Sequence, residues 1–212
     1  MAVFMTGATG FLGTETAERL LRNSEDTIYA LVRGKDKEDT VHRLKALWYD
    51  KKELYAEIGK RIIPLAGDFT KPKLGLRAAD ISMLKGQISK IYHLGAQTGI
   101  QKSCKELMSI NRNGTGHVVS FARKINVNGS LSRFVFVSTA YTAGTRSGLI
   151  LETDPPPDRY STYYEQSKGL AEKLVMESGL PYTVCRPGMI VGDSKTGWIR
   201  QFNTVYYILK LM

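Results

Sequence analysis

Three glycines spaced three apart, in the run Thr6-Gly7-Ala8-Thr9-Gly10-Phe11-Leu12-Gly13, follow directly on the apolar stretch Ala2–Thr6. They lead into a segment where Leu12, Ala17, Leu20 and Leu21 recur at helical spacing. A strand that must become a helix within a few residues, with no side chain at three points of the turn, leaves few folds open. In one of them, the first glycine permits the sharp turn, another lets backbone approach a pyrophosphate, and another lets helix and strand pack closely. The helix N-terminus there offers free amides and a partial positive charge to the anion. Gly7, Thr9, Gly10, Phe11, Leu12 and Gly13 are thus the expected diphosphate-binding turn of a dinucleotide site. A plain glycine turn is the bland alternative.

The alternation continues along the chain. Strands are expected at Ala2–Thr6, Thr27–Val32, 61–66, 89–94, 132–138 and 182–186, and helices at 11–22, 37–52, 104–124 and 161–178. Pro155-Pro156-Pro157 makes 149–159 a loop, because proline neither continues a helix nor donates to a sheet. This pattern predicts one α/β domain over 1–212: a doubly wound parallel sheet, Rossmann-like, in three α/β/α layers with six or seven strands. Past Gly192 the pattern changes to a polar loop and then to the Tyr-, Ile- and Leu-rich stretch 198–212. Its apolar helical ending, Leu209-Lys210-Leu211-Met212, predicts that the natural protein continues and that a substrate-binding portion is largely absent.

Composition narrows the function classes. The chain is 42% apolar and 24% charged, with no apolar run near the roughly 18 residues of a membrane span. Met1 leads straight into the first strand without a secretory pattern, and Cys104 and Cys185 share no motif spacing. Cys185 reads as part of a buried strand, so no metal site or disulfide is expected and a reducing cytoplasm is. Thirty Lys and Arg against twenty Asp and Glu leave +10, which favours acidic partners such as phosphorylated cofactors, coenzyme A or acidic carrier proteins. Nucleic acid is not expected, since the basic residues are scattered and none cluster with aromatics.

At the end of the second strand, where an NAD site places Asp or Glu, this chain has Leu31-Val32-Arg33-Gly34. A cation there favours the extra phosphate of NADP, which predicts NADPH, with Arg33 as its phosphate ligand and Arg43, Lys35 or Lys37 assisting. Asp68, with Phe69 beside it, is the carboxylate expected to reach an adenine amino group, and an Asx turn closing the strand is the equal alternative. In His93-Leu94-Gly95-Ala96 the small residues Gly95 and Ala96 let backbone approach the cofactor, while His93 reads as a satisfied strand-end histidine.

In Tyr164-Glu165-Gln166-Ser167-Lys168 a phenol and an ammonium stand four residues apart on one helix face. Tyrosine titrates at about 10, and a nearby ammonium would lower that value, so Tyr164 is expected to protonate a carbonyl oxygen as hydride reaches the carbon. Lys168 is expected to bind the nicotinamide ribose. Thr139 in Val137-Ser138-Thr139 is the expected orienting hydroxyl, with Ser138 the neighbouring alternative.

Together these residues, with Gly67-Asp68, Asn111, Gly114-Thr115 and Arg186-Pro187-Gly188, resemble the extended short-chain dehydrogenase/reductase superfamily over nearly the whole chain. Leu31-Val32-Arg33 and Arg186 to Gly197 are similar to its thioester-reductase-like branch, which includes the male-sterility-type fatty acyl-CoA reductases. The resemblance implies that Thr139, Tyr164 and Lys168 form the catalytic trio and that Pro187 and Gly188, with Met189 after them, lie beside the nicotinamide. It also implies NADPH-dependent reduction of an acyl thioester, carried by coenzyme A or a carrier protein, to aldehyde or alcohol. Two rivals stand beside it: a nucleotide-sugar epimerase or dehydratase, which usually prefers NAD, and a non-catalytic NADPH-binding module.

Overall fold

The structure, a computed structural model, describes residues 1–99, 101–199, 202 and 206. Six parallel strands, β1 (Ala2–Thr6), β2 (Thr27–Val32), β3 (Ile62–Ala66), β4 (Ile88–His93), β5 (Arg133–Val137) and β6 (Tyr182–Cys185), lie in the order β3-β2-β1-β4-β5-β6. The order reverses direction between β1 and β4, so the carboxyl ends of these two strands splay open a crevice, the usual ligand position in such sheets. The register places Thr6 beside both Leu31 and His93.

β1 is buried on both faces because its side chains alternate between two cores. Val3 and Met5 pack with α1 (Phe11–Asn23), α2 (Lys37–Leu47) and α3 (Lys52–Glu57). Phe4 points the other way, into a core with α4 (Ala78–Leu84), α6 (Gly114–Ile125) and α7 (Tyr163–Met176). The result is the three-layer, Rossmann-like arrangement that strand and helix alternation predicts.

Several local expectations are corrected. The helix expected over 37–52 breaks after Leu47, where Trp48 leaves helical geometry, is fully buried and donates Nε1–H to Thr14 Oγ1 at 3.0 Å. The helix expected over 104–124 is α5 (Cys104–Leu107) running through a π-helical turn, Met108–Asn113, into α6. Cys185 is exposed rather than buried, because β6 is the sheet's edge strand. The Tyr-, Ile- and Leu-rich stretch 198–212, with the helical ending expected at 209–212, lies outside the described residues apart from Trp198, Ile199, Phe202 and Tyr206. No helix among the described residues is long and apolar enough to cross a membrane.

Candidate active site

The β1–α1 turn depends on two glycines. Gly7 has φ +75°, and a Cβ there would stand 2.6 Å from Gly95 N; a Cβ on Gly13 would overlap Gly7 O. Gly10 caps α1, whose first turn carries no acidic side chain and no side-chain cap, so its leading N–H groups are left for another acceptor.

A cleft of about 450 Å³ opens beside this turn. Gly7, Gly10, Phe11, Leu12 and Gly13 line it on one side, and Leu94, Ala96 and Thr98 form its floor. Val137, Ser138, Thr139, Tyr164 and Lys168 line the far side, and Pro187, Gly188, Met189 and Ile190 the lip. With Phe202 also in the lining, the chain brings together residues from Gly7 to Phe202. Thr9, half-buried in the turn, does not line the cleft.

Two expected cofactor residues lie away from the cleft. Gly95 does not line the cleft: its N–H donates to Thr6 Oγ1 at 3.3 Å, and its missing side chain makes room for the ring of Phe69. That ring fits between Gly95 and Gly114 and meets His93 edge-on at 5.4 Å. Phe69 is therefore a packing residue as far as its ring is concerned. Asp68 closes an Asx turn, Oδ1 accepting from Thr70 N at 2.9 Å and Thr70 Oγ1 at 2.8 Å.

Asp68 also lines a second cavity, of about 630 Å³, at the carboxyl ends of β2 and β3, together with Arg33, Lys35, Lys37, Lys71 and Arg77. Arg33 is exposed there. Arg43 is outside the lining but reaches Arg33 O at 3.5 Å. Two acids of this corner are engaged by backbone: Asp36 Oδ1 caps α2 through Asp39 N, and Asp39 Oδ2 accepts from Lys35 N; a third that lines the cavity, Asp80, pairs with Arg77 at 2.8 Å.

On α7, Thr162 caps the first turn by accepting from Glu165 N at 3.2 Å, and Glu165 Oε2 answers by accepting from Ser161 N at 2.9 Å. From that fixed start, Tyr164 and Lys168 project from one face. Lys168 is buried, donates to Val137 O at 2.7 Å and lies 4.3 Å from the centre of the Phe136 ring. Desolvation brings its ammonium down to about 7, against an opposing pull from Glu172.

The expected lowering of the Tyr164 phenol by Lys168 is overturned. Burial raises Tyr164 above the ordinary phenol value, a hydrogen bond with Thr139 offsets part of that, and Lys168 has no share in it. Tyr164 is therefore a protonated phenol at neutral pH, in the form that can donate.

Behind the cleft a one-way chain of hydrogen bonds holds β1, β4 and α6 together. Thr115 Oγ1 donates to Asn111 O, so His93 Nε2–H donates to Thr115 Oγ1 at 3.0 Å. Nδ1 is then left to accept from Thr6 Oγ1 at 2.6 Å, which sets the tautomer. Burial and the charge of Lys168 take His93 down to about 3, so it is a neutral strut, as the strand-end reading has it.

Asn111 is the residue that sequence reasoning left without a task. From the π-helical turn its amide accepts from Gln97 N at 2.8 Å and donates to Gln97 O and Ser167 Oγ at 3.0 and 2.9 Å. Ser167 in turn donates to Tyr164 O. The available signal was a poor helix former in mid-helix, just before Gly114.

Residues 5–212 match the model of the male sterility protein family. The chain belongs to that family. It is thus an extended short-chain dehydrogenase/reductase of the thioester-reductase-like branch, a family of nicotinamide-dependent oxidoreductases. A linear gramicidin synthase protein of Brevibacillus parabrevis is 34% identical over 98% of this chain and 4% of its own length. The fatty acyl-CoA reductase wat of Drosophila melanogaster is 31% identical over 93% of this chain and 45% of its own. The terminal R domain from the myxalamid PKS-NRPS biosynthetic pathway superposes with a TM-score of 0.81 at 32% identity, over 92% of this chain and 51% of that one. This chain spans less than half the length of the gramicidin synthase protein and of the acyl-CoA reductase.

The site's own atoms fit a nicotinamide dinucleotide. The glycine turn presents backbone rather than side chains to the cleft, and Ser138 Oγ, buried in its wall, has no hydrogen-bond partner among the described residues.

Proposed function

We propose that the protein reduces an acyl thioester, carried by coenzyme A or an acyl carrier protein, to the aldehyde or alcohol, with NADPH as reductant. The observation that carries this reading is that Thr139, Tyr164 and Lys168 line one cleft with the glycine turn and the 187–190 strip. The names of the relatives, a fatty acyl-CoA reductase and a reductase domain among them, favour a thioester over a nucleotide sugar as substrate. Arg33, standing where an NAD site has an acid, favours NADPH and argues in the same direction.

Bound in the cleft, the reduced nicotinamide supplies the hydride that the carbonyl carbon accepts. Gly7, Gly10 and the first-turn amides of α1 hold the diphosphate. Arg33, with Arg43, Lys35 and Lys37 near it, takes the ribose phosphate, and Lys168 donates to the nicotinamide ribose. Pro187, Gly188 and Met189 border the ring. Tyr164 and Thr139 donate hydrogen bonds to the thioester oxygen as charge develops on it. Collapse of that oxyanion reforms the carbonyl and breaks the C–S bond, and the thiolate leaves to take up a proton. Product analysis with NADPH and a panel of acyl thioesters tests the reading. Aldehyde or alcohol with matching loss of NADPH supports it, and inertness toward the whole panel, in a chain that binds NADPH, overturns the substrate class.

A further inference from the structure

Beneath the cleft lies a buried ion pair to which neither motif nor mechanism gives a task. Glu172 is one helical turn beyond Lys168 on the same face of α7 and is fully buried. Arg186, at the carboxyl end of β6 and directly before Pro187, reaches it with two nitrogens: Nε donates to Oε1 at 3.0 Å, and Nη2 donates to the same oxygen. The rest of the guanidinium fork is spent on the loop before α7, Nη1 on Glu152 O at 3.0 Å and Nη2 on Asp154 O at 2.9 Å. The other carboxylate oxygen lies 3.5 Å from Thr142 Oγ1, whose own proton goes to Thr139 O at 2.8 Å.

One carboxylate therefore sits where three site-bearing pieces meet: α7 with Tyr164 and Lys168, the turn that begins at Thr139, and the end of β6 that leads to Pro187 and Gly188. Glu172 is taken fully out of water while Arg186 is half-buried; burying a carboxylate is costly, and a neutral pair of similar volume is often as stable or more so. Stability alone is a poor account of such a pair.

We propose that Arg186–Glu172 is a positioning pair that holds Lys168, Thr139 and the 187–188 lip in one geometry and sets the net charge that Lys168 meets. From α7 Lys168 faces Glu172 and the neutral phenol of Tyr164, and from β4 the neutral imidazole of His93. Among the described residues it meets the Phe136 ring and the Val137 carbonyl from β5, and Arg186 of the β6 end is bonded to Glu172. Burial lowers Lys168 and Glu172 pulls the other way. Because Arg186 is hydrogen-bonded to that carboxylate through two nitrogens, Glu172 without its partner would pull on Lys168 harder.

The consequence for the cofactor rests on the function proposed above, but the charge effect is measurable without any ligand. Lysine labelled with carbon-13 at Cε, its Lys168 signal assigned by Lys168→Met, gives the titration of this one amine by NMR in the full chain. Glu172→Gln should move that titration down by about one pH unit, Arg186→Met should move it up by about one, and the double variant should return it near its starting point. A pair whose charges do not reach Lys168 would leave all three unmoved, and that result, or a shift of both single variants in one direction, overturns the proposal. Where a single variant fails to fold, the double variant, which buries no net charge, and Arg186→Lys, which should restore the wild-type titration, keep the test decisive. NADPH binding by the unaltered chain is measured beside it, so failure of the cofactor reading appears separately from failure of the pair.

Discussion

In the proposed reaction, a phenol that burial keeps protonated and a lysine that burial brings near neutrality would divide the work at the level of single residues. Tyr164→Phe removes the donated proton but none of the packing, so NADPH affinity should stay within about twofold while kcat falls by roughly 10²–10⁴. Stopped-flow binding and steady-state turnover separate the two. Lys168 also leaves a mark on stability. Its ordinary value of 10.5 falls to about 7 in the folded chain. Between those values the unfolded chain binds the extra proton, so stability should rise with pH across that window, and the cost of burying the charge is complete below it, on the order of 5 kcal/mol. Lys168→Met should therefore raise Tm by several degrees at about pH 6.5, and the gain should shrink by about pH 9.5. Thermal scans across that range check both, and a pH-independent gain would mean that the ammonium carries no such penalty.

At the level of elements, the β1–α1 turn is where sequence and structure agree most fully, because its constraint is local. Gly13 meets Gly7 O so closely that Gly13→Ala must push α1 off β1. Loss of about 2–4 kcal/mol and of diphosphate binding together is expected, read by denaturant titration and NADPH binding. The basic β2–α2 corner is local in the same sense, a cation carried at the end of a strand, and its proposed role is open to a direct test. Arg33→Ala should reduce the preference for NADPH over NADH by about tenfold or more while leaving NADH binding alone. What could not be read was set by partners distant in sequence. Trp48 ends α2 because a hydroxyl on α1 waits for its indole, and helical periodicity through 37–52 carries no trace of that. The ring of Phe69 turns inward because Gly95 and Gly114 leave a slot for it. α4 escaped notice because it is seven residues long and buries only Ile81 and Leu84. The π-helical turn depends on Asn111 finding Gln97 and Ser167, and Cys185 is exposed because its strand happens to be the outermost.

For the molecule as a whole, the charge of +10 spreads over a surface whose cavity at the ends of β2 and β3, the proposed place of the ribose phosphate, is lined by Arg33, Lys35, Lys37, Lys71 and Arg77 against Asp36, Asp68 and Asp80. NADPH and coenzyme A are polyanions, so their approach should be steered over a distance comparable with the Debye length, which shrinks from about 30 Å at 0.01 M salt to about 5 Å at 0.3 M. Inside the cleft, donors such as the α1 amides and Lys168 are shielded from bulk ions and should be much less sensitive to that change. The association rate of NADPH should therefore fall by about tenfold or more over this range of salt, while its dissociation rate and kcat move far less. The expected signature in turnover is a rising KM at nearly constant kcat. Stopped-flow fluorescence of NADPH at several salt concentrations measures the rates directly, and Arg33→Ala should flatten the slope without abolishing it, since the remaining cations still contribute. An association rate indifferent to salt would reduce the basic excess to a solvated face with no part in recognising the ligand.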